Sequence, residues 1–72
     1  MERIKVMTNS LMERIEINPK IMLGKPVIKG TRITVEIILK KLSQNIAIDE
    51  ILVDYPRITR EDVQAVVAYA DN

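Results

Sequence analysis

From Thr34 onward, apolar residues recur at helical spacing three times over, and this repetition limits the fold more than any other feature of the chain. Val35, Ile38, Leu39 and Leu42 fall at i, i+3, i+4 and i+7, with Glu36, Lys40, Lys41 and Ser43 between them. Ile48, Ile51, Leu52 and Tyr55 repeat the spacing, and Val63, Val66, Val67 and Ala70 form a third stripe. Thr34 stands ahead of the first stripe as an N-cap, and Pro56 disfavours helical geometry at Tyr55 and so closes the second. Thr59 with Glu61 and Asp62 supplies a cap hydroxyl and first-turn carboxylates to the third. The pattern predicts helices over about 35–44, 48–54 and 60–70. Each buries its stripe only by packing on the other two, which gives a tri-helical unit. The second and third helices with their turn have helix-turn-helix dimensions.

The first half reads differently. Its β-branched residues cluster in short runs broken by Pro and Gly, the pattern of strand and turn. Residues 12–17 alternate enough to place Ile15 and Ile17 on one face of a strand, which the turn Asn18-Pro19 ends. Val27-Ile28 is a second candidate strand, flanked by Gly24-Lys25-Pro26 and Lys29-Gly30-Thr31-Arg32. The expected fold is therefore mainly α: a tri-helical helix-turn-helix behind a short N-terminal strand-and-turn segment. With 72 residues there is room for one domain. Residues 1–10 read as an N-terminal extension, either strand or flexible, and 11–72 as the domain, with strand and turn over 11–33 and helices over 34–71.

The chain has no cysteine and no histidine. A disulfide scaffold, a thiolate zinc site and catalysis by imidazole or thiolate are thereby excluded, and metal binding could rest only on scattered carboxylates. Asp49, Glu50 and Asp54 could pair on the second helix, but carboxylates at such spacing on an exposed face are solvating. No catalytic residue, metal site or cofactor is expected. The longest uncharged run, Val63 to Ala70, is far short of the roughly 20 apolar residues that cross a bilayer, and the start of the chain lacks a signal-like apolar region. A cytoplasmic protein without membrane contact is the expectation.

The net charge of +1 conceals a polarity along the chain: residues 1–41 carry +5 and residues 42–72 carry −4. Residues 17–33 hold Lys20, Lys25, Lys29 and Arg32 and no acid, so a phosphate-seeking surface is expected there. Gly24 and Gly30 bracket part of this stretch, but their spacing fits turn geometry better than any phosphate-binding loop. Arg32 can reach a phosphate or pair with a carboxylate such as Asp54. On the third helix the outward face should carry Arg60, Gln64 and Ala68, and arginine and glutamine suit base edges. Glu61 and Asp62 would repel a phosphate there, while as first-turn residues they favour the helix dipole. The candidate DNA-binding set is Lys25, Lys29, Arg32, Arg60 and Gln64, with the first three supplying most of the electrostatic attraction. Ile37, Ile46 and Val53 fall off the helical stripes and, with Leu11 and Met12, leave apolar area for a partner. A homodimer paired through N-terminal strands would suit the free edges and the twofold symmetry of operator DNA.

Several strings carry a resemblance to a known family. They are the turn at Ile17-Asn18-Pro19, the run from Gly24 to Glu36 containing Gly24-Lys25-Pro26-Val27-Ile28-Lys29-Gly30-Thr31-Arg32, the stretch Glu50 to Pro56, and Ile58-Thr59 with Glu61-Asp62-Val63. Over about three quarters of its length the chain resembles the small proteins catalogued as the domain of unknown function 433. The resemblance implies a homeodomain-like fold and, for many members, the role of antitoxin to a PIN-like ribonuclease. The expected function is accordingly an antitoxin-like DNA-binding protein that neutralises such a toxin and represses its own promoter. The alternative is a protein-interaction module of the same fold without DNA binding. Two positions depart from the family pattern. Asn45 replaces a common glycine and tolerates the left-handed conformation, whereas Ala47 replaces a hydroxyl cap and should leave the second helix less well capped.

Overall fold

Thr34 marks the residue at which the chain changes period. Its extended backbone and its Oγ1, which accepts a hydrogen bond from the Ile37 amide at 3.1 Å, start a helix over Val35–Ser43. The computed structural model describes residues 11–71 of the chain. In order these form β1 (Ile15–Glu16), a 3-10 turn (Met22–Gly24), β2 (Val27–Ile28), α1 (Val35–Ser43), α2 (Ile48–Asp54) and α3 (Arg60–Asp71). The architecture is mainly helical, with a two-stranded antiparallel sheet that pairs Ile15 with Ile28 and Glu16 with Val27. The extension expected over 1–10, and any strand pairing made through it, lie outside the described residues.

Each helix boundary has a local cause. Asn45 takes φ +63° after α1, in the place where the turn needs a left-handed residue. At α2, alanine offers no acceptor, so only the reciprocal half of a capping box forms: Glu50 Oε1 accepts from the Ala47 amide at 3.3 Å. The α3 start is capped from both sides. Thr59 Oγ1 accepts from the Asp62 amide at 3.2 Å, and Asp62 Oδ2 accepts from the Thr59 amide at 2.9 Å.

Ile28, Val35, Ile38, Ile51, Ile58, Val63 and Val66 form the buried cluster, against which Ile15, Ile33, Leu39, Leu42, Ile46, Ile48, Leu52, Tyr55 and Tyr69 are partly buried. Three expectations change here. The strand over 12–17 shrinks to two residues: Leu11 and Met12 are helical, and the Arg14 amide donates to Leu11 O in a turn instead of entering a ladder. Ile17 is consequently exposed. On α3 the buried face is Asp62, Val63, Ala65 and Val66, while Val67 and Ala70 face solvent. That face turns toward β1, which α3 packs against along with α1 and α2. Asp62 is tolerated there because Arg14 Nη1 donates to its Oδ1 at 3.1 Å while its other oxygen serves the cap. Ile46, finally, packs on the core and does not stand apart from it.

Candidate nucleic-acid interface

The segment 26–35 folds back on itself, and its tip carries cations from the acid-free stretch. Pro26 O accepts from the Val35 amide at 3.0 Å, the Ile28 amide donates to Ile33 O at 2.9 Å, and Val27 bridges Thr34. Thr31 locks the tip: its amide and Oγ1 both donate to Ile28 O, and the same Oγ1 accepts from the Ile33 amide at 2.9 Å. Gly30 reverses the chain at φ +81°, with open space where a Cβ would stand. Lys29 and Arg32 flank these two residues, exposed and with no ion-pair partner among the described residues. Arg32 therefore does not pair with Asp54.

Beside this tip lies an open cleft of about 500 Å³ lined by Ile21, Gly30, Thr31, Arg32, Ile33 and Arg57. Arg57 comes from the turn between α2 and α3 and is likewise exposed and unpaired among the described residues. Two arginines thus line one concavity whose lining holds no acidic residue. Arg57 is missing from the set read off the sequence because only the tertiary fold brings it to residues 30–33.

The other candidate cations are differently placed. Lys25 Nζ pairs with Glu36 at 3.2 Å, and Arg60 pairs with Asp49; all four side chains are largely exposed, so these pairs contribute little and exchange readily. Gln64 lies on another face, in a hollow with Leu42, Ile48, Val63, Val67, Ala68 and Asp71. The five residues expected from sequence therefore do not converge on one spot. Lys29 and Arg32 share a loop tip, Lys25 sits across α1, and Arg60 and Gln64 belong to α3.

The apolar candidates also separate. Ile37 is 39% exposed and lines a shallow groove with Met22, Leu23 and Lys25. Val53 is 78% exposed and shares a smaller hollow with Ile46, Glu50 and Asp54. Leu23, at 94% exposure, joins them without any signal in the sequence pattern. It is held in a left-handed turn in which Met22, Leu23 and Gly24 have φ of 49°, 59° and 82°. For Met and Leu this conformation is costly, on the order of 1–2 kcal/mol per residue, and nothing in the local sequence announces it.

Among the described residues no cluster of His, Cys, Asp or Glu could hold a metal ion, and no helix is long and apolar enough to cross a membrane.

Known proteins resemble the chain in sequence or in structure. An uncharacterised protein of Archaeoglobus fulgidus is 64% identical to the chain over 25 residues, which is 35% of this chain and 69% of that protein. The crystal structure of a DUF433 member protein from Anabaena variabilis superposes with a TM-score of 0.79 at 28% identity, covering 97% of this chain and 69% of that one. The family model for DUF433, described as a protein of unknown function, matches residues 15–70, from the first residue of β1 into the last turn of α3, and the chain belongs to this family.

Proposed function

We propose that the protein is an antitoxin-like DNA-binding protein that represses its own promoter as a homodimer and neutralises a PIN-like ribonuclease. The observation that carries the DNA-binding part is the pairing of a helix-turn-helix, α2 to α3, with an acid-free loop tip whose Lys29 and Arg32 are exposed and unpaired among the described residues. Cations of this kind neutralise backbone phosphates and release counterions, while residues on α3 such as Arg60 and Gln64 add modest base discrimination. The toxin part rests on the family resemblance together with the exposed apolar groups at Ile37 and Val53. A nuclease site rich in carboxylates would also attract the basic loop, so toxin and DNA would compete for it. If the apolar groups form the contact instead, both are held at once.

Two experiments test this reading. Gel-shift titration against the DNA upstream of its own gene should show binding that weakens steeply with salt. Co-purification with the product of the neighbouring gene should yield a complex, abolished in Lys29→Glu if the contact is charge-led and in Ile37→Asp if it is apolar. Absence of any complex rejects the antitoxin assignment.

A second reading has its own support. The first turn of α3 exposes Glu61, and its one cation, Arg60, is engaged by Asp49. A helix so charged is a poor reader of a polyanion, which favours a protein-interaction module of the same fold. Absence of DNA binding at low salt, with the partner complex intact, selects this second reading.

A further inference from the structure

The cleft between the 29–32 tip and the α2–α3 turn holds donors that no contact among the described residues engages. Arg32 and Arg57 both line it, and neither has an ion-pair partner among the described residues. Gly30 and Thr31 line it as well, and the amides of Gly30 and Arg32 donate to no acceptor among the described residues. Thr31, whose hydroxyl is committed to the loop's own carbonyl and amide, fixes this backbone without competing for a ligand. Ile21 and Ile33 supply the apolar part of the wall. Two arginines with unengaged donors, in a lining that holds no acidic residue, suit a tetrahedral oxyanion.

We propose that this cleft seats one backbone phosphate of duplex DNA, gripped by Arg32 from the β2–α1 loop and Arg57 from the helix-turn-helix turn. The proposal rests on the DNA-binding reading above and makes it specific. A phosphate held at the turn that leads into α3 would set the register of that helix on the duplex, which is what backbone contacts do in protein–DNA recognition. It also relieves α3 of an electrostatic task to which the exposed Glu61 and the engaged Arg60 suit it poorly.

The test is the salt dependence of binding to a random-sequence duplex by fluorescence anisotropy. Wild type is compared with Arg32→Gln, Arg57→Gln, the double variant, and Lys40→Gln as a charge-matched control on α1. If one phosphate is shared, each single arginine change lowers the magnitude of the slope of log K on log salt by up to about 0.9, and the double variant by no more than that single unit. Arginine variants indistinguishable from Lys40→Gln, with wild type still binding, overturn the cleft proposal and leave the DNA-binding reading standing. If wild type binds no duplex at 50 mM salt or about that, both fall. Inorganic phosphate is then titrated while the Gly30 and Arg32 amide resonances are followed. Phosphate shifts that are present in wild type and abolished in the double variant, together with a duplex slope that neither arginine change alters, would assign the cleft to a free phosphorylated ligand and overturn the nucleic-acid source.

Discussion

Asp62 is the residue on which the sequence and the folded chain say different things. Along the chain it is a first-turn carboxylate, favourable beside the helix dipole and repulsive to a phosphate. In the fold it is buried, and its two oxygens are divided between the Thr59 amide and Arg14, 48 positions away. The capping role is legible because Thr59 and Asp62 stand three apart; the bond to Arg14 is not, because no local pattern links β1 to α3. Asp62→Ala removes both and should cost about 1–3 kcal/mol in urea unfolding, while Arg14→Ala, a half-exposed partner, should cost less. Equal and negligible losses would mean that the ion pair and the cap are both incidental. Gly30 gives a second residue-level expectation. Alanine there meets open space but keeps φ +81°, so Gly30→Ala should destabilise by about 1 kcal/mol through backbone strain alone. A stabilised variant would show that the tip relaxes to negative φ.

At the scale of elements, the three helices are readable because their caps and stripes are local. Thr34, Pro56 and Thr59 each act within one turn of the boundary they set, and α2 runs from Ile48 to Asp54 as the spacing predicts. Features decided across the fold are not readable in this way. The strand at 12–17 reduces to Ile15–Glu16 because Arg14 turns back on Leu11, and α3 rotates its buried face toward Ala65 because β1 lies on that side. Mutations should report the difference in burial directly. Ile38 and Ile51 are fully buried, whereas Leu39 and Leu52 are only partly so. Ile38→Ala and Ile51→Ala should each cost about 2–5 kcal/mol and Leu39→Ala and Leu52→Ala clearly less, by chemical denaturation. A reversed order would mean that the core faces of α1 and α2 are misassigned.

At the scale of the whole molecule, the charge polarity along the chain becomes a placement of cations. The net excess in residues 1–41 is visible in composition, and it directs attention to Lys25, Lys29 and Arg32. Composition cannot show that Lys25 is tied to Glu36 on α1, or that Arg57 joins Arg32 across a cleft from the acidic half of the chain. Nor can it show the left-handed turn that presents Leu23 beside Ile37. Leu23→Asp should leave thermal unfolding nearly unchanged, since the side chain is 94% exposed, while weakening a protein partner that docks on that groove. Unimpaired partner binding in a pulldown would move the contact to the Val53 hollow.

In the function proposed above, the loop tip and not the outer face of α3 carries the electrostatic attraction to DNA. The slope of log K on log salt for duplex binding tests this most directly, with Lys29→Ala/Arg32→Ala set against Arg60→Ala/Gln64→Ala. The first pair should lower the magnitude of the slope by about 0.9 for each phosphate that is no longer neutralised, while the second should leave the slope unchanged and lower only sequence preference. A slope that falls with the α3 pair and holds with the loop pair would contradict it.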